Sequence, residues 1–252
     1  MGAMPAYRNA VLTVALLVAT ASPLSALAAP SPLVQPNGRL ELDLGVGIGH
    51  ANRPERTGLG LNLELKYGLG GGSEIGLRTG VRNEDGRSTG ADGYGRPYDR
   101  ETFGTGYDTI ANPELRLRTA LTGAIALEGR MYLPFDGPFG FMFALPVVIA
   151  SGGLRLDTGV YVPIVLDDRE TLSWLSIPVQ LWFIGGRAWD VGIISGARLV
   201  NHASNWEVPI GVGLDRTLSS LADLLLWFVF PDITYDGAAN TFGGGVGLRL
   251  RI

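Results

Sequence analysis

From Arg39 to the C-terminus, apolar and polar residues alternate with a period of two. In the stretch RLELDLGVGI, Leu40, Leu42, Leu44, Val46 and Ile48 share one parity, while Arg39, Glu41, Asp43, Gly45 and Gly47 share the other. Successive side chains of a strand point to opposite faces, so such a segment has one greasy side and one polar or glycine-rich side. The pattern returns in 59–67, 74–82, 114–119, 125–133, 154–162, 189–199, 206–214 and 242–252. Helical spacing is not sustained anywhere in this part of the chain. Twelve strands are predicted, at about 39–49, 58–67, 73–82, 112–120, 123–133, 138–149, 153–163, 171–183, 187–199, 205–214, 222–230 and 241–252. Most have the 9–11 residues that a tilted strand needs to cross a bilayer. Ten or fourteen strands stay compatible, because 221–230 (LADLLLWFVF) is apolar on both faces.

The connections form an independent series. Short ones at 68–72, 121–122, 150–152, 184–186 and 215–221 alternate with longer ones, among them the polar 83–111 and the medium 231–240. Short periplasmic turns alternating with longer outer loops characterise an up-and-down barrel of the outer membrane. The aromatic residues follow the same threading. Phe139, Phe141, Trp174, Trp206, Phe228, Phe230 and Phe242 fall at the outer strand ends, and Tyr67, Phe183 and Trp189 at the periplasmic ends, as two interfacial girdles would. A soluble β-sandwich would also alternate, but its second face would carry solvent-exposed Lys, Thr and Ser. Here the only lysine is Lys66, and the second face is glycine with Arg and Glu. Three prolines, Pro146, Pro178 and Pro209, fall inside predicted strands, and the apolar parity switches within 171–183. A β-bulge near 176–178 would account for both the switch and Pro178.

The first thirty residues read as an address. Arg8 supplies a positive start, 10–19 (AVLTVALLVA) a greasy core, and Ala26-Leu27-Ala28 a small-residue cleavage site. About ten apolar residues are too few for a helix crossing a ~30 Å core. Residues 1–28 are therefore expected to be a signal peptide, leaving 29–252 as one barrel domain. Charged residues make up 17 % and hydrophobic residues 46 % of the chain, which excludes a disordered protein. Cys is absent, so disulfides and Cys-ligated metals are excluded. A net charge of −4 argues against nucleic acid as a partner.

The polar parity sends Glu41, Asp43, Glu64, Lys66, Glu74, Arg78, Arg82, Glu114, Arg116, Arg118, Glu128, Arg130, Arg155, Asp157, Asp190, Arg198, Glu207, Arg249 and Arg251 toward the lumen. Buried charges have to be paired or hydrated, so this lining is either a solute path with charge rings or a lumen closed by its own salt bridges. Inward glycines, among them Gly45, Gly47, Gly245 and Gly247, favour open volume. Two stretches, Asn112-Pro-Glu-Leu-Arg-Leu-Arg and Gly153-Leu-Arg-Leu-Asp-Thr-Gly-Val-Tyr-Val-Pro, resemble bacterial outer-membrane barrels of the phenol-degradation (meta-pathway) transporter type. That resemblance implies passage of small, often hydrophobic compounds. The chain ends in Ile252, where many outer-membrane barrels end in Phe.

One motif points to chemistry instead. His202-Ala203-Ser204-Asn205 resembles the His-x-Ser-Asn motif of two barrel hydrolases, outer-membrane phospholipase A and lipid A deacylase. The resemblance implies His202 as base and Ser204 as nucleophile on the lipid-facing side, with a third group orienting the histidine. Asp232 could supply that group from the next strand, whereas Asp215 threads to the opposite side of the membrane and position 216 is Arg. A polar loop tip at 200–205 would contain the same residues without any chemistry. With only His50 and His202 and no Cys, no transition-metal site and no cofactor are expected. Asp85, Asp92 and Asp99 read as a solvated loop before they read as a Ca²⁺ site, and Gly45-Val-Gly-Ile-Gly has no helix after it to make a phosphate loop. The expectation is an all-β antiparallel transmembrane β-barrel acting as a passive channel for small molecules. Its expected partners are outer-membrane lipid, the barrel-assembly machinery and a small-molecule solute. A lipid hydrolase using His202 and Ser204 and a closed structural barrel are the alternatives.

Overall fold

The computed structural model describes residues 31–52, 55–82, 110–133, 139–165, 175–185, 189–200, 205–230, 232–234 and 241–252. The strands are β1 (Leu40–Asn52), β2 (Glu55–Gly70), β3 (Ser73–Arg82), β4 (Ile110–Ala120), β5 (Ala126–Tyr132), β6 (Gly140–Ser151), β7 (Leu154–Val165), β8 (Leu175–Ile184), β9 (Trp189–Val200), β10 (Asn205–Glu207), β11 (Ile210–Ser219), β12 (Ala222–Phe230) and β13 (Thr241–Arg251). Each pairs antiparallel with its neighbour in the chain, except that β9 carries both β10 and β11 on one edge. These two are one wall position interrupted at Val208-Pro209. The ring closes where β1 pairs with β13, Glu41 opposite Arg251. Main-chain bonds between Leu40 and Ile252, 3.0 and 2.8 Å, finish the seam. The result is a closed twelve-position barrel, which leaves no open sheet edge.

Side-chain parity decides which face each residue takes. In β2 the exposure alternates residue by residue, with Leu59 and Leu61 outside and Asn62, Glu64 and Lys66 buried inside. Outside, Val46, Ile48, Leu117, Phe143, Leu145, Ile193 and Val212 are each 45–56 % exposed to the surroundings and together form an apolar belt. So large a greasy surface is unsuited to water and matches the lipid-facing band of a membrane barrel. Tyr67, Phe183 and Trp189 rim the end that carries the tight turns; Trp206 and Phe228 rim the other. At the β6–β7 turn, Gly152 and Gly153 both take positive φ (59° and 85°), the geometry that lets a two-residue hairpin match strand twist.

The structure corrects two expectations. No bulge occurs near 176–178: β8 keeps one register against β9 and one parity over 175–184, and Leu172 and Trp174 lie outside the described residues. Pro178 is accommodated by a gap in the β7–β8 ladder, where Thr158 Oγ1 donates to the Pro178 carbonyl at 2.6 Å. The predicted turn at 215–221 is strand as far as Ser219, so Asp215 sits in the wall and not on the periplasmic rim. The both-sided apolar stretch forms the strand expected at 222–230, β12.

Candidate functional site: the barrel lumen

The inward parity builds two layers. The layer nearest the tight turns is ionic. Lys66 donates to Glu41 (2.8 Å) and Asp43 (2.7 Å). Arg116 bridges Glu64 (2.8 Å) and Glu74 (3.0 Å), and Arg118 passes the chain on to Glu128. Arg130 then links Glu128 (2.5 Å) to Glu114 (3.2 Å). In the other direction Arg249 joins Asp43 (3.2 Å) to Asp215 (3.0 Å), and Arg251 pairs with Asp223. The network therefore runs unbroken over eight adjacent walls, from β11 through the closure to β5. Arg155 and Asp157 on β7 form a separate pair at 2.6 Å. Most of these groups are buried to within a few per cent, so they are paired because desolvation leaves them no other partner.

The second layer lies toward the long connections and is apolar. Met142, Ala144, Tyr161, Ile194, Trp227 and Val229 point inward there and are buried, and Trp182, paired in register with Arg155 near the tight-turn end, adds its buried indole beside the ionic layer. The two indoles need the glycines opposite them. A Cβ at Gly192 would stand 2.7 Å from the Trp182 ring and one at Gly213 2.8 Å from it, while a Cβ at Gly245 would stand 2.3 Å from Trp227. These three inward glycines thus make room for aromatic rings. Arg130 caps the layer from below, 5.6 Å from the Tyr161 ring centre.

Of the residues expected in the lumen, Glu41, Asp43, Glu64, Lys66, Glu74, Arg78, Glu114, Arg116, Glu128, Arg130, Arg155, Asp190 and Arg249 are buried there; Arg118, Asp157 and Arg251 are partly covered on the same face. The side chains of Arg82 and Arg198 lie outside the described residues. Asp215, Asp223, Trp182 and Trp227 complete the lining and were not expected in it. Strand parity would have found the first two had the β11–β12 turn been placed correctly. A cavity of about 90 Å³, lined by Arg116 and Arg155 among others, lies between the layers. That is room for a few water molecules.

His202 and Ser204 lie outside the described residues. Asp232 is described, and its Oδ1 accepts from the Val208 and Thr234 amides (3.0 and 2.9 Å) and the Thr234 hydroxyl (2.8 Å). Its carboxylate pins the chain where β10 gives way to β11, a structural task that accounts for an acid at this position. Among the described residues no cluster of His, Cys, Asp and Glu could hold a metal ion.

A closed antiparallel barrel with a lipid-facing belt and a charged interior is the architecture of an outer-membrane β-barrel. No protein-family model and no characterised protein matches the sequence. Solved structures do match the fold. The NanC porin superposes with a TM-score of 0.55 at 9 % identity, covering 84 % of this chain and 100 % of its own. The COG4313 outer membrane channel from Pseudomonas putida F1 gives 0.54 at 11 %, covering 90 % and 100 %, and the KdgM porin 0.53 at 6 %, covering 82 % and 98 %.

Proposed function

We propose that this barrel is a passive channel for small molecules across the outer membrane, and that its solutes are small aromatic or otherwise apolar compounds carrying a hydroxyl, as for a transporter of the phenol-degradation type. The observation that carries the reading is the junction of the two layers. There Tyr161, Trp182 and Trp227 give aromatic surface and Ile194 aliphatic surface beside the void, and two buried donors, Trp182 Nε1–H and Gln180 Nε2–H, have no acceptor among the described residues. The void joins an aromatic wall to charged and polar groups, a lining that suits a small amphiphile, and an unsatisfied indole N–H is matched by a phenolic oxygen. The porin and channel folds among the structural neighbours agree with a transport role.

Planar-bilayer recording of the folded barrel tests this. Discrete conductance steps are expected, with concentration-dependent block by phenol and little block by a sugar of similar size. Silence across solutes and voltages would end the channel reading; conduction without preferential block by phenol would end the solute assignment.

A further inference from the structure

The ionic layer does more than pair with itself. The chain ahead of β1 turns inward and lies across the lumen, with Ser31 and Gln35 buried. The wall holds it through its main chain. Arg155 Nη2 donates to the Ser31 carbonyl (2.7 Å), Arg118 Nη1 donates to the Leu33 carbonyl (2.7 Å), and the Gln35 amide donates to Glu74 Oε2 (2.8 Å). The Ser31 hydroxyl donates to Glu41, and Lys66 Nζ donates to the Ser31 hydroxyl at 3.3 Å. Bonds at residues 31, 33 and 35 follow the two-residue repeat of an extended chain. Pro32 and Pro36 bias the residues before them, Ser31 and Gln35, toward that same extended form.

The route in is built as well. Gly38 N–H donates to the Gly68 carbonyl (2.9 Å), and Gly68 N–H donates to the Arg39 carbonyl (3.0 Å). A Cβ at Gly68 would stand 2.0 Å from the Pro36 carbonyl oxygen, so only glycine lets the segment pass over the end of β2. We infer that the ionic layer is a binding site for an extended peptide segment, that Ser31–Gln35 is its resident occupant, and that this segment is a plug closing the channel at the tight-turn end. The gating part of this inference rests on the channel reading above. Among the described residues this is the luminal segment outside the strand ladder, so it can leave without breaking the barrel wall.

The chain has no cysteine, so single thiols report directly on the full-length protein. Ser31→Cys places a thiol inside the lumen and Asn37→Cys places one on the exposed part of the same segment. A membrane-impermeant maleimide should label position 31 at least about tenfold more slowly than position 37. Equal rates would overturn the plug. Gly68→Leu, which blocks the inward path without touching a luminal charge, should bring the two rates to within a few-fold and raise single-channel conductance several-fold. Arg118→Gln with Arg155→Gln should do the same by removing both carbonyl donors, with the heat-dependent gel shift of folded barrels as the check on assembly. Faster labelling at unchanged conductance would overturn the gate while the channel reading stands. Absence of current in every variant would overturn the channel reading and the gate with it.

Discussion

Replacing Arg249 by Met keeps an unbranched stem of similar length and removes the charge that holds Asp43 and Asp215 together. Arg249 is 4 % exposed and lies 3.0 Å from Asp215 and 3.2 Å from Asp43. At 3.0 Å, one pair of unit charges is worth about 5 kcal/mol at an effective dielectric of 20 and about 1 kcal/mol in bulk water. Deleting one partner of a buried pair leaves an uncompensated charge and typically costs about 3–5 kcal/mol. Arg249→Met should therefore lower the unfolding free energy by about 3–5 kcal/mol, a large part of the roughly 5–15 kcal/mol available to a folded protein. Adding Asp215→Asn should recover part of the loss by removing one stranded carboxylate. The assay is urea unfolding of the refolded barrel in lipid vesicles, followed by tryptophan fluorescence. A loss below about 1 kcal/mol, the range of solvent-exposed pairs, would refute the argument. It would show that bulk water reaches these groups and that the ionic layer is an open path.

Three further outcomes follow from the same geometry. Val46 faces outward near the middle of β1, so Val46→Arg should cost about 2–4 kcal/mol in vesicles, and a cost near zero would place this face away from lipid. A side chain at Gly192 would have to displace the Trp182 indole, so Gly192→Leu should cost about 1–3 kcal/mol and weaken the near-ultraviolet circular dichroism; an unchanged spectrum would contradict the stacking. Asp190 Oδ2 and Asp215 Oδ1 are buried carboxylate oxygens without a hydrogen-bond donor, which biases the lumen toward cations. Asp190→Asn with Asp215→Asn should move the reversal potential in a salt gradient toward anions, and an unchanged potential would remove these groups from the conduction path.

What the sequence made legible was parity. In 39–48 the alternation alone assigns Glu41 and Asp43 to the lumen and Leu42 and Val46 to lipid, and the register of β1 against β2 and β13 follows the same rule. What it hid was any place where the lumen is not polar. In β12 the inward residues are Asp223, Leu225, Trp227 and Val229, so the strand looks two-faced and greasy only if the interior is assumed wet throughout. The β11–β12 turn was misplaced for a related reason. Asp215, Arg216, Thr217 and Ser219 read as turn chemistry, yet Asp215 meets Arg249 inside while Arg216 lies outside, 5.0 Å from the Trp189 ring. At that depth an outward arginine belongs to the membrane interface, where its charge reaches water and its plane meets an aromatic girdle. The inward course of 31–35 left no mark on the alternation, because apart from the Ser31 hydroxyl its bonds use main-chain atoms, which any sequence supplies.

Those main-chain bonds couple the plug to the stability of the layer beneath it. Ser31, Pro32 and Leu33 form one side of the void that Arg249 and Asp215 line on the other, so the seated segment keeps water from the pair it faces. A pair that is strong because it is dry should weaken once the segment leaves. In the Gly68→Leu background, where the inward path is blocked, the cost of Arg249→Met should fall from about 3–5 kcal/mol toward the roughly 1 kcal/mol of a hydrated pair. Residues that share no contact normally give additive effects within about 0.5 kcal/mol, and position 68 lies outside the described contacts of Arg249. Additivity in this double-mutant cycle would mean that the segment does not control the hydration of the ionic layer. A coupling of about 2 kcal/mol or more would tie plug seating and luminal ion pairing into one equilibrium, in which opening the channel is paid for by wetting its charges.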